Sequence, residues 1–188
     1  MKKLNILFLL GILITSISFT SCEKLADDVQ NAVEVTINTD FEAPFVATPT
    51  NAKANADGSS TFDETVILDP SNSGDLSDYL DKIESVEIKS IHVLVTSISD
   101  PNIVLRSATF TVTDNVDHGV FTYSTPENSA IAVGSTFEIP ADNPGWDVIN
   151  KAMNDMHATT VHAVGAINQD TFEIGFVYII SVKVLAKG

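Results

Sequence analysis

Apolar and polar residues alternate over most of this chain, and the alternation predicts strands. Val33, Val35 and Ile37 face one way and Glu34, Thr36 and Asn38 the other, the pattern of a half-buried strand. Phe41 to Thr48 either extends this strand or returns beside it, and Pro44 there points to a sheet edge because proline donates no ladder hydrogen bond. Residues 47–60, ATPTNAKANADGSS, offer almost nothing to bury and read as a mobile loop. Phe62, Val66 and Leu68 resume the period of two between Thr61 and Leu68. Val86 and Ile88 share one parity, whereas Ile91, Val93 and Val95 take the other, so a β-bulge or bend is expected at Lys89–Ser90. Ala108, Phe110 and Val112 alternate with Ser107, Thr109, Thr111 and Thr113, whose hydroxyls suit the solvated side of an antiparallel sheet. Val120 to Tyr123, Ile131 to Ile139 and Ala158 to Ile167 add further strands. The last strand, Phe172 to Ala186, keeps Phe172, Ile174, Phe176, Tyr178, Ile180, Val182 and Val184 on one face. Val177 and Ile179 make its other face apolar too, as a central strand covered on both sides requires.

Two stretches change the period. Asp69 to Gly74 carries turn chemistry, after which Asp75 is placed to cap a short helix, Leu76 to Ile83, with Leu76, Leu80 and Ile83 on one face. Asn143 followed by Pro144 pairs a capping residue with proline at the first helical position. The helix expected there, Pro144 to Met156, puts Trp146, Ile149, Met153 and Met156 on one stripe, as a lid over a sheet edge or barrel end. About eight or nine strands, two short helices and no βαβ alternation predict an all-β fold, an antiparallel β-sandwich of Ig-like or jelly-roll-like type.

Residues 1–22, MKKLNILFLLGILITSISFTSC, stand apart from this pattern. Lys2 and Lys3 precede an apolar run, and a spanning helix needs roughly 20 mostly apolar residues, so the run suits a cleaved export signal better than a permanent anchor. The chain has one cysteine, Cys22, directly after the small polar residues Thr20 and Ser21. An exported chain with one cysteine forms no internal disulfide, and a stray thiol there would have no use.

Phe19-Thr20-Ser21-Cys22 resembles the lipobox of bacterial lipoproteins, and the short signal ending in TSC resembles the Bacteroidetes type. The resemblance covers residues 1–22 alone. It implies a diacylglyceryl group on the Cys22 thiol, cleavage before Cys22 and acylation of the new N-terminus, with palmitate as a typical chain. Glu23 after the cysteine, rather than Asp, implies the outer membrane, with the periplasmic and surface faces both open. Several acyl chains hold a protein stably, whereas one holds it marginally. The expected organisation is therefore a signal peptide (1–21), a lipidated cysteine with a polar tether (22–32) and a single β-sandwich domain (33–188), a length sufficient for one core.

Charge narrows the partners. The chain has 10 Lys and Arg against 25 Asp and Glu, and loss of Lys2 and Lys3 with the signal leaves 8 against 25, a formal charge of −17. Such a surface repels phosphate backbones, so nucleic acid is excluded as a partner and membrane attachment falls to the lipid.

The nearest approach to a metal motif is Asp69-x-Ser71-x-Ser73-Gly74-Asp75, which echoes the first half of a calcium loop. The twelfth position is Leu80, where a bidentate Glu belongs, and a turn followed by a capped helix explains the same residues. His157 and His162 are five apart, an odd offset that sends them to opposite faces of a strand, so no zinc pair is expected. Asp117 and His118 sit in an Asp114–Gly119 turn, and no serine occupies a nucleophile-elbow context. Phe121, Tyr123 and Tyr79 are the aromatics available as glycan platforms, and Trp146 belongs to the helix stripe. No catalytic residue and no metal site are expected, and no ligand-contact residue is named. The expectation is a non-enzymatic binding, adhesion or structural module, lipid-anchored in the envelope, with a glycan or a protein as ligand. The alternative is an envelope or polysaccharide hydrolase whose two carboxylates lie far apart in sequence.

Overall fold

A computed structural model describes residues 34–50 and 58–187 of the 188. The segments expected to be a signal peptide and a tether, Cys22 with them, and residues 51–57 of the expected 47–60 loop lie outside these residues. Nine strands are described: β1 (Glu34–Ala47), β2 (Ser60–Leu68), β3 (Ile83–Ile98), β4 (Val104–Asp114), β5 (Val120–Ser124), β6 (Ser129–Ala130), β7 (Thr136–Glu138), β8 (Thr159–Ile167) and β9 (Ile174–Lys187). One α-helix, α1 (Trp146–Asn154), lies between β7 and β8, and two 3-10 turns, Pro70–Asn72 and Gly74–Leu76, follow β2. The strands form two antiparallel sheets, β1-β9-β3-β7 and β2-β8-β4-β5, with β6 added beside β4. This is the antiparallel β-sandwich that the alternation predicts.

The core is where the inward parities meet. From the first sheet come Phe41, Ala43, Ile91, Val93, Val95, Phe176, Tyr178 and Ile180, and from the second Phe62, Leu68, Phe110, Val112, Val161 and Ile167, all buried. Phe62 meets Phe172 edge-on at 6.3 Å between ring centroids and lies tilted against Phe176 at 6.2 Å, joining the two layers. Gly165 makes room for this contact, because a Cβ there would come within 2.4 Å of the Phe62 ring and 2.6 Å of the Ser107 carbonyl oxygen. β9 is central, between β1 and β3, and its Ile174 to Val184 inward positions are buried as their parity requires. β1 is an edge strand, which accommodates Pro44. The ladder between β3 and β9 slips between Ile88 and Ser90, where the parity of the sequence changes. Phe41 to Thr48 does not return as a separate strand; it continues β1.

Three expectations need correction. Leu76 to Ile83 is not an α-helix: the chain makes 3-10 turns through Leu76, Leu80 is 39% exposed, and Ile83 already opens β3. Asp75 lies inside the second 3-10 turn and caps nothing, whereas Asp69 caps the first, Pro70–Asn72. Ile131 to Ile139 is not one strand either. Gly134 turns at φ 89°, Ser135 Oγ accepts the Ala132 N–H at 2.9 Å, and the chain passes from β6 in one sheet to β7 in the other. Ile131, Phe137 and Ile139 are buried while Val133 is 63% exposed, so the run's apolar residues serve two sheets and a turn. Phe121, finally, is a core residue, 2% exposed, against which the backbone of Gly145 packs so closely that a Cβ would overlap its ring.

Candidate functional site

The Asp69 loop is built locally. Asp69 Oδ1 accepts the Ser71 N–H at 3.0 Å and the Ser71 hydroxyl at 2.6 Å, and Oδ2 accepts the Asn72 side-chain amide at 3.2 Å. Asp75 accepts the Thr39 hydroxyl of β1 at 2.9 Å. Asp69, Ser73 and Asp75 line a cleft of about 290 Å³ together with Asp40 and Glu42, while Ser71 is held by Asp69 at the turn itself. The carboxylates are thus brought to one rim, yet both Asp69 oxygens are already engaged by the turn.

A second cluster joins parts of the chain far apart in sequence. Asp114 ends β4 in the inward parity of Ala108, Phe110 and Val112, and it is 2% exposed. Its Oδ1 accepts the N–H groups of Val116 at 2.8 Å and Asp117 at 3.2 Å. His157 Nδ1 lies 3.2 Å from Oδ1 and 3.1 Å from Oδ2. Burial alone would push the Asp114 carboxyl up; the Val116 amide, the His157 ring and the Asp117 amide outweigh it and hold the group below its ordinary 3.8.

The C-terminus of α1 delivers His157. Its N–H bonds the Ala152 carbonyl at 2.8 Å across Met156, which turns left-handed at φ 54°. That conformation costs an L-residue roughly 1–2 kcal/mol, offset here by the buried pair that it completes. Asn154 clamps the same end to β3, donating to the Val86 carbonyl at 2.8 Å and accepting the Val86 N–H at 2.9 Å. Lys151 of α1 bridges Asp117 and Asp155, the latter at 2.6 Å, and its pKa is raised by Asp117 first and then Asp155. Asp114, Asp117 and His157 each present a ligand atom within 4.8 Å of the others. His118, at φ 58°, is an exposed turn residue, and His162 pairs instead with Asp63 on the outer face of the second sheet at 2.7 Å.

A third feature lies at the opposite end of the sandwich. Ser99, Asp100, Gln169, Thr171, Phe172 and Glu173 line a cleft of about 360 Å³. Its two loops are stitched together: Ser99 N–H donates to the Glu173 carbonyl and Glu173 N–H to Ser99 Oγ, both at 3.0 Å. Asn168 accepts the Val104 N–H at 2.8 Å and donates to the Asn102 carbonyl at 3.2 Å. Asp100 is held below its ordinary 3.8 by hydrogen bonds led by the Asn102 N–H, so the cleft carries charge at neutral pH. Of the aromatics expected as glycan platforms, Phe121 is in the core, Tyr123 is half-buried against it and Tyr79 is half-buried; Trp146, expected on the helix stripe, packs half-buried against the core.

The sequence named the Asp69 loop and missed the Asp114 cluster. The signal was present: an aspartate at an inward parity position must find partners, but nothing local says that the partner is 43 residues away.

No family model matches the chain, and no curated protein matches it. Among solved structures, one of turnip yellow mosaic virus is similar at 10% identity and a TM-score of 0.39, over 83% of this chain and 95% of that one. A mud crab tombus-like virus structure is similar at 13% identity and 0.36, over 82% and 81%. One of Desmodium yellow mottle tymovirus is similar at 10% identity and 0.31, over 80% and 89%.

Proposed function

We propose that the chain is a non-enzymatic binding module of the cell envelope, held to the outer membrane through a lipid on Cys22, that meets its ligand at the end of the sandwich farthest from the anchor. The observation that carries this reading is the direction of β1. The strand starts at Glu34, paired with Lys187, a few residues beyond the tether, and runs 14 residues to Ala47, paired with Ile174. At about 3.3 Å per residue the two ends are on the order of 40 Å apart. The Asp100–Glu173 cleft belongs to the far end, beside Ile174. Its carboxylates favour a ligand rich in hydroxyl or amino groups, a glycan or a basic protein segment, in keeping with the repulsion of nucleic acid by the acidic chain.

The test is fractionation of cells fed an alkyne-tagged palmitate. The wild-type protein is expected in the detergent-extractable membrane fraction and labelled, and Cys22→Ala is expected unlabelled and released. A C22A protein that stays in the membrane fraction overturns the anchor. Protease shaving of intact cells then decides whether the domain faces outward or into the periplasm.

A further inference from the structure

We propose that Asp114, Asp117 and His157 bind a first-row divalent transition-metal ion, which enters by displacing the Lys151 ammonium from Asp117. The donor set is one imidazole nitrogen and two carboxylates, the kind that takes zinc or its neighbours rather than calcium or magnesium, which prefer oxygen alone. Two of the three ligands already stand at shell spacing, and the third, Asp117, has an atom within 4.8 Å of both. Two ligands on a tetrahedral zinc with bonds of 2.0–2.1 Å lie roughly 3.3 Å apart, and His157 Nδ1 stands 3.1 and 3.2 Å from the Asp114 oxygens. The outer partners are in place as well, since the Val116 and Asp117 amides fix the Asp114 carboxylate and the α1 C-terminus fixes the ring.

An independent observation points to a ligand at the same place. The Thr159 hydroxyl has no hydrogen-bond partner, although Thr159 is 1% exposed. Thr159 is directly opposite Asp114 in the β4–β8 ladder, with both side chains buried on the inward face. Directly opposed residues bring their Cβ atoms to about 5 Å, a separation that one water on the ion would bridge to this hydroxyl.

Lys151 is the built-in competitor. It already bridges to Asp155 at 2.6 Å, so Asp155 keeps the ammonium when Asp117 turns to the metal. The exchange balances: Lys151 stays protonated, and a neutral His157 gives up its Nδ1 proton to solvent and takes one at Nε2 while Nδ1 donates its lone pair to the ion.

The experiment uses the full chain purified in detergent, stripped with a chelator and titrated with zinc chloride under calorimetric detection, with bound metal counted by elemental analysis. About one zinc per chain is expected. Asp117→Asn, a change at an exposed turn residue, and His157→Gln are expected to abolish it, and His162→Gln to leave it intact. Lys151→Met is expected to tighten binding roughly tenfold by removing the competing charge. No zinc uptake by the wild type, uptake unaffected by D117N, uptake lost in H162Q, or weaker binding by K151M would each overturn the proposal.

Discussion

Two turns of this molecule begin with the same device and end differently. Asp69 follows β2 and Asp114 ends β4, and each accepts the N–H of the residue two positions on, at 3.0 Å for Ser71 and 2.8 Å for Val116. Asp69 stands outside its sheet and spends its remaining capacity on Ser71 and Asn72, its immediate neighbours. Asp114 falls on an inward parity position, is sealed from water, and accepts the Asp117 N–H and the distant His157 ring as well. The local chemistry is shared; the parity of one residue decides whether a capping aspartate organises a loop or ties two distant segments together.

The largest difference should appear in stability. Removing the Asp114 carboxylate takes the shared acceptor from two amides and the His157 ring in a part-buried site and empties a buried position, and we expect Asp114→Ala to cost about 3 kcal/mol. Urea denaturation of the variant against wild type measures it. A cost under about 1 kcal/mol, the value of an ordinary cap, would erase the distinction between the two turns.

Acid sharpens the same comparison. The Asp114 carboxyl titrates below its ordinary 3.8 when folded, so its stabilising contribution is complete above that ordinary value and is lost as the pH falls through the folded one. Asp114→Asn keeps the shape and removes the titration. The gap in urea midpoint between wild type and D114N should therefore narrow as the pH is lowered from about 5 to about 2. A constant gap would mean that the carboxylate carries no more charge-dependent stabilisation in the fold than in the unfolded chain.

The same distinction marks what the sequence could show. Strands were legible where a period of two holds along one ladder: the bulge at Lys89–Ser90 and the central place of β9 follow from parity, and the edge position of Pro44 from the N–H it lacks. The run from Ile131 to Ile139 was illegible because its apolar residues serve two different sheets across the Gly134 turn, and a pattern read along one strand cannot register a change of partner. The stretch from Leu76 to Ile83 has a helical spacing that the ladders override, since Ile83 is claimed by pairing with Ala186. For the candidate sites, the calcium-like spacing at Asp69 drew attention because all its residues are adjacent. Asp114 and His157 were each visible, but their meeting depends on how α1 docks on β3 through Asn154, which no local pattern encodes.

The smallest effect should come from the Asp69 loop. Asp69→Ala removes a cap from a three-residue 3-10 turn in which the Pro70 ring already fixes the first backbone angle. The freed Ser71 N–H and Asn72 amide are exposed and regain water, so the loss should be about 1 kcal/mol. The neighbouring contact from Thr39 to Asp75 is independent of Asp69 and should hold the loop against β1 in the variant. Urea midpoints for D69A alone and combined with D114A should add, since the two aspartates share no partner. A cost for D69A approaching that of D114A, or strong non-additivity between them, would show the loop to be a tertiary clamp rather than a local cap.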